Sequence, residues 1–148
     1  MRYRKAEIDE ISQLVNLRKK QLIDEGLATI NNIDIELLKY FELSLRDGSL
    51  ISWIAEEYGI IVATSGICFY QLPPTYSNPT GKIAYITNMY TKNEYRGKGI
   101  ALNLLKLVVD EAKKQGYKGV RLHASKQGKS IYERFGFTDY EGYMEIQL

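Results

Sequence analysis

Tyr95-Arg96-Gly97-Lys98-Gly99-Ile100-Ala101 sits between two segments of opposite character. Before it, Lys82 to Thr91 is rich in β-branched and aromatic residues and reads as a strand. After it, Ile100 to Gln115 places Leu104, Leu105, Val108 and Ala112 on one face and reads as a helix, closed by Gly116. The glycines therefore fall at a strand-to-helix turn. Such a turn aims several backbone N–H groups and the positive end of a helix dipole at one point. Arg96 and Lys98 add two cationic side chains there, so the stretch is suited to an anion, a phosphate or pyrophosphate.

Two familiar phosphate loops do not fit. A nucleoside-triphosphate loop requires G-x-x-x-x-G-K-[ST], whereas Gly99 is followed by Ile100. A dinucleotide turn requires G-x-G-x-x-G, and Leu102 stands at the third glycine position. What remains is R-x-x-G-x-A, from Arg96 to Ala101. That pattern resembles the coenzyme A pyrophosphate loop of the GNAT superfamily of N-acetyltransferases, [QR]-x-x-G-x-[GA].

The rest of the chain supplies the context. Its 148 residues suit one domain spanning 1–148. Hydrophobic residues make up 45% and charged residues 26%, the balance of a soluble globular protein, and no apolar run approaches the ~20 residues of a membrane span. No apolar run follows the basic N-terminal residues, so no secretory leader is expected and the expected compartment is the cytoplasm. A single cysteine, Cys68, excludes an internal disulfide and a cysteine-based zinc site. No metal is expected. Net charge is only +2, yet Lys92 to Arg134 holds eleven Lys/Arg against four acids, an excess that suits a polyphosphate ligand. A nucleic-acid module is not expected: the segment lacks the aromatic-basic interleaving of a stacking platform.

In order, Arg2–Ala6 reads as a strand and Glu7–Glu25 as a helix ended by Gly26. Asp34 reads as the N-cap of a second helix that Gly48 ends. Leu50–Glu57 and Ile60–Tyr70 read as a hairpin through Tyr58-Gly59, and Gln71–Gly81 as a long loop. Tyr70 and Tyr76 beside and within that loop are candidates for a substrate entrance. Val120–Ala124 reads as a short strand, Gly128–Phe135 as a helix, and Phe137–Leu148 as a last strand. The order β-α-α-β-β-β-α-β-α-β is that of the GNAT fold, an α/β mixed sheet with helices on both faces. Tyr132-Glu133-Arg134-Phe135-Gly136-Phe137 resembles a second GNAT pattern, Y-[EKR]-x-x-G-F, in the right order after the loop.

The resemblance implies an acetyl-CoA-dependent transferase acting on a primary amine, by direct attack, with acetyl-CoA as co-substrate. The alternative is a non-catalytic acyl-CoA-binding domain. In the family, backbone from about Met89 through Tyr90 to Thr91 pairs with pantetheine, and the Met89 amide assists the oxyanion. The amides of Gly97, Lys98, Gly99, Ile100 and Ala101 hold pyrophosphate, with charge added by Arg96 and Lys98. Tyr132 matches the tyrosine that protonates the leaving thiolate. Ser125 stands where many members have an Asn that contacts pantetheine; Lys126 and Lys129 are the other candidates. Asn88 can orient an acceptor. For the base, Glu25, Glu56, His123 and water-relayed loss to bulk remain open. Cys68 reads as a strand residue, with no Cys/His pairing to make it a nucleophile. The acceptor class is a small-molecule or peptide amine, and the expected state a monomer or homodimer.

Overall fold

A computed structural model describes residues 1–140 and 142–148 of the chain. β1 is Arg2–Lys5, α1 Ile11–Asp24, α2 Asp34–Asp47, β2 Leu50–Glu57, β3 Ile60–Gln71, β4 Lys82–Thr91, α3 Ile100–Lys114, β5 Val120–Leu122 and α4 Lys129–Phe135. The strands form one sheet in the order β1-β2-β3-β4-β5, antiparallel up to β4 and parallel between β4 and β5. The parallel step requires a crossover, and α3 supplies it. No described helix is long and apolar enough to cross a membrane.

Besides shifts of one or two residues at other ends, three differences from the sequence reading stand out. The first helix starts at Ile11, because Glu7 and Glu10 close a capping box around a 3₁₀ turn at Ile8–Glu10. Arg4 reinforces that turn by donating to Glu10 Oε2 at 2.9 Å and to Glu56 Oε2 at 3.0 Å. Asp34 is the first residue of α2 rather than its cap, and its N–H donates to Asn32 Oδ1 at 3.0 Å. The expected last strand, Phe137–Leu148, does not form in the described residues; Glu141 within it lies outside them. Tyr143, Met144 and Ile146 are exposed there, so their apolar pattern has no sheet face to cover.

Both sheet faces are buried by helices. On one, Ile11, Leu14, Val15 and Leu17 of α1 and Phe41 of α2 pack on Leu50, Ile54, Ile61 and Tyr90. On the other, Leu105, Val108 and Ala112 of α3 pack on Ile67, Ala84 and Ile86, joined by Ile131, Tyr132 and Phe135 of α4. Each such large side chain, fully buried, stabilises the fold by roughly 1.5–3 kcal/mol. Glu111 is a buried acid in the α3 layer; Trp53 Nε1 donates to it at 3.2 Å and Lys5 Nζ lies 2.9 Å away.

Two irregularities in the middle of the sheet position the site. Thr87 lies opposite Gly66 and Tyr90 opposite Thr64, so Asn88 and Met89 together face Ser65 alone. This is a β-bulge. Asn88 takes φ 56° there, a region that Asn tolerates better than most residues. Thr64 Oγ1 donates to the Asn88 carbonyl at 2.9 Å and holds the bulge. The extra residue returns Met89 to the face of Ala84 and Ile86 and sends Tyr90 to the α1 face. The second irregularity is a split: β4 and β5 pair only as far as Ile86 and Leu122, while β4 runs on to Thr91.

Candidate active site

A cleft of about 840 Å³ opens where β4 and β5 part. Met89, Tyr90 and Thr91 form one wall, and Leu122, His123 and Ser125 stand on the side of β5. Arg96, Gly97, Gly99, Ile100 and Ala101 close one end, with Tyr132 of α4 and Glu25 of α1 also on its surface. Thus ten of the residues expected to bind or act line one cleft, although the sequence spreads them from Met89 to Tyr132. Lys98, Asn88 and Lys129 are not among the lining residues. Lys98 Nζ stands over the Tyr95 ring at 5.0 Å, Lys129 Nζ is 3.5 Å from Asp139 Oδ1, and Asn88 is buried at the bulge.

The closed end has the chemistry of an anion site. Gly97 and Gly99 take φ 74° and 77°, and a Cβ at either would meet nothing within 4 Å. The turn is therefore bare backbone beside open space. Gly99 caps α3, whose first N–H groups have no partner inside the helix. Arg96 is held at this end by three contacts. Its Nε donates to the Thr91 carbonyl at 2.9 Å, its Nη2 to Asp24 Oδ2 at 3.1 Å, and its guanidinium lies 5.6 Å from the Tyr90 ring centre. Tyr90 also donates to Asp24, at 3.2 Å, and burial together with the Asp24 charge pushes its phenol above the ordinary value. A pyrophosphate matches this donor set, and an amide-bearing arm matches the free flank of β4 beyond Ile86.

The chemistry at the far wall turns on Tyr132. Burial first, then the Glu25 charge, push its phenol up to about 12, so at neutral pH it carries its proton. Its ring packs edge-on to Phe137 at 6.0 Å between centres. Gly128 makes room for it: a Cβ there would come within 3.0 Å of Tyr132 Cε2 and 3.2 Å of Ser125 Oγ. Ser125 Oγ accepts the Gly128 N–H at 3.1 Å, which ties the residue in the expected Asn position to the start of α4.

Among the carboxylates, Glu25 reaches the cleft and accepts a hydrogen bond from Gln21 Nε2 at 3.0 Å. Glu56 does not; it is bound to Arg4 at the start of the sheet, which corrects its candidacy as a base. Tyr70 and Tyr76 are exposed and do not line the cleft, so the entrance expected of them is not formed there. Cys68 donates to the Tyr85 carbonyl at 3.4 Å, and burial pushes its thiol up, the reverse of an activated nucleophile. Sequence reasoning missed Asp24 and Gln21, because their partners lie on other elements or face inward along α1.

Residues 20–145 match an Acetyltransferase (GNAT) domain. The chain belongs to the GNAT acetyltransferase family. A predicted acetyltransferase from Clostridium acetobutylicum, solved with acetyl-CoA, superposes with a TM-score of 0.96 at 46% identity, covering 99% of this chain and 95% of that one. A thialysine N-epsilon-acetyltransferase of Mus musculus is 28% identical across 97% of this chain and 79% of its own length. A probable N-acetyltransferase family 8 member 5 of Mus musculus is 32% identical over 65% of this chain, a match spanning 42% of that relative's length. Among GNAT structures, the likeness to the acetyl-CoA-bound one extends over the cleft, since it extends over nearly the whole chain.

Proposed function

We propose that this chain, acting as one domain, transfers the acetyl group of acetyl-CoA to a primary amine by direct attack. The observation that carries the reading is the split between β4 and β5, which runs from the bare glycine turn at the α3 N-terminus to the protonated Tyr132 phenol. Acetyl-CoA supplies the activated thioester. The N–H groups from Gly97 to Ala101, with the Arg96 guanidinium, hold its pyrophosphate. The backbone of Met89, Tyr90 and Thr91, together with Ser125, aligns the pantetheine arm.

The Met89 amide donates to the carbonyl oxygen as negative charge develops there. Asn88 fixes the bulge that aims that amide and thereby sets the acceptor's approach. The amine forms the new C–N bond to the acetyl carbon, and the C–S bond breaks. Glu25 takes the proton the amine loses, and Tyr132 gives its own to the departing sulfur. One relative bears the name thialysine N-epsilon-acetyltransferase, so terminal side-chain amines head the list of acceptors.

The test is release of coenzyme A thiol from acetyl-CoA in the presence of a panel of primary amines. Release that depends on both amine and protein supports the transferase. Tight coenzyme A binding with no release for any amine supports the non-catalytic binding domain instead.

A further inference from the structure

α1 carries a cation that the acetyl-transfer reading leaves unused. Arg18, Gln21 and Glu25 follow one another at i, i+3 and i+7, along one face of α1 and onto its C-cap. Arg18 Nη1 donates to Gln21 Oε1 at 3.1 Å, and Gln21 Nε2 donates to Glu25 Oε1 at 3.0 Å. Gln21 and Glu25 line the cofactor cleft. The row therefore leads from the cleft to Arg18, with the buried Gln21 amide as its middle member.

Arg4, also half-buried, lies against two carboxylates, whereas among the described residues Arg18 and the half-buried Arg121 have only neutral side-chain hydrogen-bond partners, an amide and a phenol. Arg18 is half-buried, yet among the described residues no carboxylate lies within ion-pair distance of it, and its recorded partner is a neutral amide. Burial works against its charge; the Glu25 carboxylate, at the other end of the row, favours it first, followed by the phenols of Tyr40 on α2 and Tyr85 on β4. The Cys68 thiol on β3 adjoins both phenols. Burial pushes both phenols and the thiol up, so none of the three supplies an anion at neutral pH. A half-buried guanidinium with no carboxylate in direct contact is costly, and Arg18 keeps four donors of its planar fork, which matches a carboxylate, outside its bond to Gln21. Tyr40 is exposed and Tyr85 half-buried, so this side of α1 is open to solvent.

We propose that Arg18 binds the carboxylate of the acceptor, which makes that acceptor a compound bearing both an amine and an acid, of the amino-acid class, rather than a plain alkylamine or polyamine. The proposal rests on the acetyl-transfer reading. The amine lies at the Glu25 end of the row and the acid at the Arg18 end. Seven helical residues separate the two anchors, a rise of about 10 Å, so amine and acid are several bonds apart, as in an amino acid acetylated on a terminal side-chain amine. Arg18 is a specificity residue here; it does not touch the reacting atoms.

L-lysine and L-lysinamide test this, because they differ in the carboxylate and share the side-chain amine. For the wild-type protein kcat/KM should favour L-lysine by about 10- to 100-fold, the worth of a charge-assisted bidentate pair. Arg18→Met should reduce the preference to within about twofold, through KM for L-lysine, while kcat/KM for L-lysinamide and coenzyme A affinity stay put. Arg18→Lys should keep part of the preference, since it retains the charge and loses the fork. Calorimetric titration of the coenzyme A-saturated protein with the same two compounds reads the preference without turnover. Equal use or binding of the two by the wild type, or an undiminished preference in Arg18→Met, overturns the proposal. A protein that binds coenzyme A but not L-lysine overturns this proposal alone; one that does not bind coenzyme A overturns the acetyl-transfer reading with it.

Discussion

Arg96 Nη2 lies 3.1 Å from Asp24 Oδ2, which ties the loop before α3 to the last residue of α1 across 72 positions of sequence. The pair is partly exposed, at 38% and 34% for the two side chains, so its own contribution to stability is small, below about 1 kcal/mol. Its effect is on geometry. With Nε on the Thr91 carbonyl and Nη2 on Asp24, the guanidinium is oriented before a ligand arrives, and its remaining donors stay free.

Asp24→Ala should therefore leave unfolding nearly unchanged and weaken acetyl-CoA binding about 3- to 10-fold, because Arg96 must then be ordered at the moment of binding. Calorimetric titration alongside a thermal melt checks both halves. Unchanged or tighter binding would mean that Asp24 merely competes with the phosphate.

Tyr132→Phe keeps the ring that packs on Phe137 and removes the proton. Acetyl-CoA affinity should hardly move, while the single-turnover rate falls by ~10²–10⁴-fold, the usual worth of general acid catalysis. The loss belongs in kcat, since the proton is needed only in the transition state. Wild-type single-turnover rates in the Phe variant would leave Tyr132 as a packing residue.

The raised phenol pKa fixes a sign for pH. A folded value of about 12 exceeds the ordinary ~10, so the folded state favours the protonated form. That contribution to stability is fully present below pH ~10 and is lost as pH rises through about 12. Wild-type kcat should accordingly show no loss from Tyr132 ionisation up to pH ~10, and in Tyr132→Phe the alkaline fall in stability should be smaller. A Tyr132-dependent alkaline limb centred near pH 8 would contradict the burial that the structure assigns to this residue.

Gly128→Ala tests the same tyrosine from outside. The backbone at Gly128 is ordinary, with φ −86°, so the new methyl acts through contact: 3.0 Å from Tyr132 Cε2 and 3.2 Å from Ser125 Oγ. The ring must give way, and kcat should fall by about 10-fold or more with little change in acetyl-CoA affinity, since small displacements of a reacting group are expensive. An Ala variant with unaltered kcat would show that the Tyr132 ring is free to shift without consequence.

Much of this architecture is legible in the chain. The bounds read for Leu50–Glu57 and Lys82–Thr91 coincide with β2 and β4, because both are dense in β-branched and aromatic residues between turn signals. The glycine turn is legible because its φ values demand glycine. The last strand is not: alternation at Tyr143, Met144 and Ile146 records a preference for strand, whereas a strand also requires an edge to pair with. The bulge at Asn88 leaves only a faint trace, an Asn within an apolar strand, since an added residue changes register without changing composition. Glu56 looked as available as Glu25 until the fold paired it with Arg4, 52 positions away. The tie of Arg96 to Asp24 is likewise a tertiary fact with no local signature.

The account's central claim is that the glycine turn at the head of α3 and the split beside it hold acetyl-CoA. Calorimetric titration of acetyl-CoA into the wild type and into Gly99→Glu tests it most directly. The substitution strains a position at φ 77° and sets a negative charge where the pyrophosphate belongs. The prediction is one molecule bound per chain by the wild type and at least a 100-fold loss in the variant, with circular dichroism showing that the variant remains folded. Equal affinity in the two folded proteins would contradict the assignment of this cleft.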